Sequence, residues 1–131
     1  MSNAQISARR ILVVDDEPFV CDAVKMMLVF DGHHVDTANG AKEALTLFEK
    51  GKYDIVITDY AMPSVKGDEL AIAIKKIAPE QPVVMVTAYA EMLRASEQPL
   101  TSVNLVISKP FLLENLREAI EKVTSAPGNK G

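Results

Sequence analysis

Apolar residues along this chain fall alternately into short unbroken runs and into stretches with an apolar position every three or four residues. Ile11-Leu12-Val13-Val14 is such a run, the mark of a strand buried on both faces. It ends in three acids, Asp15-Asp16-Glu17, and Pro18 then suits the first turn of a helix capped by one of them. Val20, Ala23, Val24, Met27 and Leu28 define one face of that helix, which Asp31-Gly32 terminates. His33 to Ala38 is a half-polar strand that suits a position near a sheet edge. After the Asn39-Gly40 turn, Ala41, Ala44, Leu45 and Phe48 mark a second helix, closed by Lys50-Gly51-Lys52.

Ile55 to Thr58 is the next buried strand, and it stops at a carboxylate, Asp59. Pro63 and Gly67 punctuate the loop that follows. Leu70, Ala73, Ile74 and Ile77 mark a third helix, stopped before Pro79. Pro82 introduces the strand Val83-Val84-Met85-Val86, which ends at Thr87-Ala88. A short helix is expected from Glu91 to Glu97, broken by Pro99, and a fifth strand from Val103 to Ile107, interrupted by polar Asn104. That strand ends at Ser108-Lys109-Pro110-Phe111, and Leu113, Leu116, Ala119, Ile120 and Val123 form the last helical face.

Strands separated by single helices run parallel, with right-handed crossovers that place helices on both faces of the sheet. The pattern therefore predicts a doubly wound α/β domain of five strands and five helices over residues 9–124. Residues 1–8 form an N-terminal extension, part of it with the look of a vector remnant, and residues 125–131 a flexible, turn-rich tail.

Composition narrows the function without naming it. The chain has 131 residues, enough for one self-sufficient core, and 48% hydrophobic with 24% charged residues is ordinary for a soluble globular protein. A net charge of −4 gives no electrostatic footprint for nucleic acid, and no apolar run is long enough to cross a bilayer. One cysteine, Cys21, leaves no internal disulfide and fits a reducing cytoplasm; its apolar helical setting makes it a small core or boundary residue. His33 and His34 have no partner acids at ligand spacing and read as solvated residues rather than metal ligands.

The chemistry lies at the strand ends. A parallel sheet puts all its carboxyl ends on one edge, the usual ligand crevice, and that edge receives Asp15, Asp16, Asp59, Thr87 and Lys109. Asp59 alone would serve equally well as a turn cap, but four strands delivering polar groups to one edge argue for a site. Three carboxylates at close quarters need a cation, and oxygen-only ligands select a hard one, with Mg2+ the expected ion. Lys109 offers a cationic partner for a phosphoryl oxygen and Thr87 a hydroxyl. These are the parts of phosphoryl transfer to an Asp nucleophile.

The segments Val13-Val14-Asp15-Asp16-Glu17, Asp59-Tyr60-Ala61-Met62-Pro63 with Gly67, Val86-Thr87-Ala88 and Lys109-Pro110-Phe111 resemble, in order and spacing, the receiver domains of two-component response regulators. The resemblance runs from about Arg10 to Val123. It implies a flavodoxin-like sheet with strand order 2-1-3-4-5. It implies Asp59 as acceptor of a phosphoryl group from the phosphohistidine of a sensor kinase or phosphotransfer protein. It implies Mg2+ held by Asp16, Asp59 and the backbone carbonyl of Ala61, with Asp15 acting through a water, and a cis Lys109-Pro110 bond. A domain of this kind assists its own phosphorylation and dephosphorylation without turning over external substrates, and a phosphorylation-dependent homodimer accords with the family.

One position departs from the pattern. The aromatic residue usual three positions before the lysine is here Val106, so the aromatic part of the switch is absent or moved, and Tyr89 is the nearest substitute in sequence, although an ordinary surface role suits it better. Met26 and Val29 point away from the apolar face of the first helix and Phe19 flanks it near Asp16. In the family this region meets the histidine-bearing partner, so the resemblance makes Phe19 and Met26 candidates for a docking patch, against the plain reading that isolated exposed apolar residues are common. Two other readings compete. An Asp-nucleophile hydrolase of the haloacid-dehalogenase type needs a second Asp where this chain has Ala61. A degenerate receiver acting only as a binding module should have lost acids or the lysine, and this chain keeps them. The output is not written in these residues, which fit a stand-alone regulator, a relay intermediate or a piece of a larger regulator.

Overall fold

The computed structural model describes residues 8–95 and 101–124. Nearly all of the N-terminal extension, the tail from Ser125, and the expected end of the short helix at Glu97 with its Pro99 breaker lie outside the described residues. Strands and helices alternate: β1 (Arg10–Val14), α1 (Pro18–Phe30), β2 (His34–Ala38), α2 (Ala41–Leu47), β3 (Ile55–Asp59), α3 (Gly67–Ile77), β4 (Val83–Thr87), α4 (Ala90–Arg94), β5 (Leu105–Ser108) and α5 (Leu113–Thr124). The strands form one parallel sheet in the order β2-β1-β3-β4-β5, the flavodoxin-like arrangement. Central β3 and β4 are buried at every residue, whereas edge strands β2 and β5 are half exposed.

Alternate residues of the strands feed two apolar layers. Ile11, Val13, Ile55, Ile57, Val84 and Val86 pack against Cys21, Val24 and Leu28 of α1 and Leu116, Ala119 and Ile120 of α5. Leu12, Val14, Val56 and Val83 pack on the other side against Ala41 and Ala44 of α2 and Leu70, Ala71 and Ile74 of α3.

Several details differ from the sequence reading. In α1 the buried stripe runs through Cys21, Val24 and Leu28, which leaves Ala23 exposed. In α3 the stripe takes Ala71 and ends on Ala78, so Ile77 stays 47% exposed. Helix α2 stops at Leu47, because Phe48 turns into extended backbone and stacks on Tyr53 at 6.3 Å between ring centroids. Strand β5 starts at Leu105, beyond Asn104: the Asn104 side chain accepts the Val83 N–H at 2.9 Å while its own N–H donates to the Val83 carbonyl at 2.8 Å. His33 is buried, its Nδ1 accepting the Arg9 N–H at 2.9 Å, because the turn after α1 folds the ring under the start of β1. Helix α1 has Glu17 at its cap position but no side-chain cap bond; Asp15 Oδ1 instead accepts the Glu17 N–H at 2.9 Å.

Candidate functional site

The carboxyl ends of β1 and β3 lie side by side, with Val14 registered against Thr58, so the residues that follow each strand meet at one edge. Carboxylate oxygens of Asp15, Asp16 and Asp59 all lie within 4.8 Å of one another. Asp15 is buried, Asp59 nearly so, and Asp16 is half-buried. The loop carrying Lys109 begins at the end of β5, and the Lys109–Pro110 peptide is cis. Lys109 Nζ reaches 3.3 Å from Asp15 Oδ2 and 3.4 Å from Asp59 Oδ1. Both distances exceed the roughly 2.7–2.9 Å of a committed charge-assisted bond, so the ammonium is shared between the acids.

Burial penalises charge at this edge. It pushes the Asp59 carboxyl up, with Lys109 opposing and Asp15 reinforcing the shift. Burial likewise works against the charge on Lys109, but Asp59 and Asp15 overcome it and hold the ammonium above its ordinary value. Among the described residues, Lys109 is the one cation paired with this cluster of three acids, and it contacts Asp15 and Asp59; a hard divalent ion would meet the remaining negative charge with oxygen ligands alone. Asp59 Oδ1 also accepts the Tyr60 N–H at 2.9 Å, so Asp59 caps its own turn as well as facing the cluster. Its Oδ2 has no hydrogen-bond partner among the described residues.

The other sequence candidates take graded places around this cluster. Thr87 ends β4 fully buried; its Oγ1 accepts the Tyr89 N–H at 3.0 Å and its carbonyl accepts the Lys109 N–H at 2.9 Å. Tyr89 precedes α4 and is 48% exposed, as a surface residue would be. Val106 is half-buried on β5, and its carbonyl accepts a hydrogen bond from Arg94 Nη2 of α4 at 3.1 Å. Ala61 is exposed on the loop after β3. Phe19 and Met26 are 88% and 73% exposed on α1, and Phe30 joins them at 80%.

Three contributors have roles that sequence reasoning did not give them. Gly67 opens α3 so close to β3 that a Cβ there would overlap the Asp59 carbonyl oxygen. Asn39 and Cys21 both reach the Asp15 carbonyl, the amide nitrogen at 3.2 Å and the sulfur at 3.3 Å. Burial first, then the nearby Asp15 charge, push the Cys21 thiol up to about 11, so it stays protonated. Nothing in the local sequence around Asn39 or Cys21 signals this, since both contacts arise from tertiary approach.

The response regulator receiver domain family matches residues 11–121. This chain belongs to that family, the receiver domains of two-component response regulators. Chemotaxis protein CheY-3 of Vibrio cholerae is 33% identical over 120 residues, covering 87% of this chain and 90% of its own. Transcriptional regulatory protein TrcR of Mycobacterium tuberculosis is 31% identical over 107 residues, which are 82% of this receiver but only 42% of TrcR. Among solved structures, a receiver domain protein from Clostridium thermocellum superposes with a TM-score of 0.83 at 29% identity, covering 95% of this chain and 100% of that one. TrrA from Thermotoga maritima, in complex with Mg2+-BeF, gives a TM-score of 0.79 at 36% identity over 88% and 98% of the two chains. No helix among the described residues of this receiver is long and apolar enough to cross a membrane.

Proposed function

We propose that this receiver accepts a phosphoryl group on Asp59 from a phosphohistidine, in a Mg2+-dependent reaction, and signals by a change of conformation. The observation that carries the reading is the cluster itself, three carboxylates within 4.8 Å of one another, with Lys109 bridging Asp15 and Asp59. Asp16, Asp59 and the Ala61 carbonyl would hold the ion, with Asp15 acting through a water; once bound, it neutralises charge on the incoming phosphoryl oxygens. The free Oδ2 of Asp59 attacks phosphorus, the P–N bond to the donor imidazole breaks, and the imidazole leaves with the electron pair and takes up a proton. Lys109 turns from the acids toward a phosphoryl oxygen, and the Thr87 hydroxyl donates to another, releasing its bond from Tyr89. Pro110 sets the direction of the lysine. With Val106 in the aromatic position, the movement of Thr87 is read out without an inward-turning ring, through α4 and β5.

The domain works in the cytoplasm as a signalling switch, not as an enzyme on external substrates. Its donor is a sensor histidine kinase or a histidine phosphotransfer protein, and Phe19 and Met26, exposed on the helix α1 that follows Asp15 and Asp16, are the docking candidates. Direct binding of nucleic acid is not expected of the domain itself, and a homodimer formed on phosphorylation is compatible with it. Transfer from a phosphohistidine donor tests this reading. Phe19→Ser with Met26→Ser should slow transfer from the protein donor about tenfold or more while leaving reaction with acetyl phosphate unchanged, since hot-spot aromatics carry much of an interface. Equal slowing with both donors would show that the two residues act on the fold and not on docking.

A further inference from the structure

The Asp15 carbonyl stands at the end of β1, where the chain turns toward α1, and it belongs to the peptide plane that joins Asp15 to Asp16. Fixing that plane fixes where the Cα of Asp16 stands and leaves the Asp16 φ as the one backbone rotation that aims its side chain. Two side chains from different elements fix the plane. Asn39 Nδ2, in the turn after β2, lies 3.2 Å from the carbonyl oxygen and 3.7 Å from Cys21 Sγ. Cys21 Sγ, on the buried face of α1, lies 3.3 Å from the same oxygen. The amide nitrogen is within donating reach of both the carbonyl and the sulfur, and the single S–H of the thiol has the Asp15 carbonyl as its nearer acceptor and the Ala38 carbonyl, at 3.5 Å, as its farther one. Asn39 is itself held by its backbone N–H, which donates to Glu43 Oε1 at 2.7 Å. The Asp15 N–H completes the clamp by donating to the Ala38 carbonyl at 3.1 Å.

We propose that Asn39 and Cys21 are positioning residues of the cation site, setting through the Asp15 carbonyl where the Asp15 and Asp16 carboxylates point. Neither residue touches the ion or the phosphoryl group. The inference rests on the Mg2+ reading of the acidic cluster and adds to it two groups whose side chains carry no charge there. Cys21 thus serves as a hydrogen-bond donor rather than as core filling alone.

Mg2+ titration by isothermal calorimetry on the wild type, Cys21→Ala, Asn39→Ala, the double variant and Cys21→Ser tests it, with thermal midpoints in EDTA measured alongside. Asn39→Ala and the double variant should bind Mg2+ about tenfold more weakly, the lower end of the loss when a ligand's orienting partner is removed. Cys21→Ser keeps a donor and should bind more tightly than Cys21→Ala, a rescue that volume alone would not give. Wild-type affinity in the folded double variant overturns the inference, and so does a Ser variant no better than Ala. Where the double variant proves unfolded in EDTA, Asn39→Ala alone decides by the same criterion. If the wild type binds no Mg2+, the cation reading falls, and this inference falls with it.

Discussion

Position 67 tolerates no side chain. A Cβ there would collide with the Asp59 carbonyl oxygen and stand 3.0 Å from both the Asp59 carbonyl carbon and Tyr60 Cα, all of them backbone atoms that cannot swing aside. Gly67→Ala should cost about 3 kcal/mol, the upper end for overpacking an interior, measured by urea denaturation. Asp59 has the opposite economy: burial raises its carboxyl, so its charge opposes folding above that raised value and the burden lifts below the ordinary carboxylate range. Asp59→Asn should therefore raise the thermal midpoint of the metal-free protein at neutral pH, and added Mg2+ should then stabilise the wild type but not the variant. A lower midpoint for the variant in EDTA would contradict the assigned direction. The acids, the threonine and the lysine were legible in sequence because each follows an apolar run, and a parallel sheet brings such ends together. Gly67 was legible as loop punctuation and as part of the family motif but not as a close approach to Asp59, since that approach is set by packing on Leu70 and Ile74 rather than by neighbours in the chain.

Among elements, the periodic pattern located all ten, while its errors fell where a tertiary contact overrode a local rule. Phe48 leaves its helix for Tyr53, and Cys21 displaces Ala23 from the α1 stripe because the thiol has a carbonyl to meet. Asn104, read as a flaw in β5, instead ties the start of β4 to the segment before β5 through both its backbone and its side chain. It also accepts from Lys75 Nζ at 2.9 Å, whose ammonium burial holds below its ordinary value. Asn104→Ala leaves the Val83 N–H without its acceptor and the ammonium with the Gln81 carbonyl, and should cost about 1–3 kcal/mol in urea denaturation, the penalty of an unpaired buried group. A change within experimental error would show that water replaces the amide at no cost.

Across the whole molecule, the two ends of the sheet carry different devices. The carboxyl edge gathers the acids, whereas the opposite end is closed by His33 under Arg9 and by the Arg10–Asp54 pair. Burial holds His33 below its ordinary value, with Asp31 opposing and Arg9 and His34 reinforcing. The folded state thus binds its proton less readily than the unfolded chain, so the stability from a neutral His33 is present above the unfolded value and lost as pH falls through the folded one. Urea midpoints should fall between about pH 7.5 and about pH 5, the range in which histidine titrates, and less steeply in His33→Gln, whose amide oxygen still accepts the Arg9 N–H. Equal slopes for the two proteins would remove His33 from the account. This burial was invisible in sequence, where two adjacent histidines after a turn read as solvated.

The central claim is that Asp59 is a phosphoacceptor served by a divalent cation, and the intact mass after incubation with Mg2+ and acetyl phosphate tests it most directly. The account predicts a gain of one phosphoryl group in the wild type, with none in Asp59→Asn and none when EDTA replaces Mg2+. An unchanged mass in folded wild-type protein, repeated with a phosphohistidine donor, would contradict it and leave the cluster as part of a binding surface.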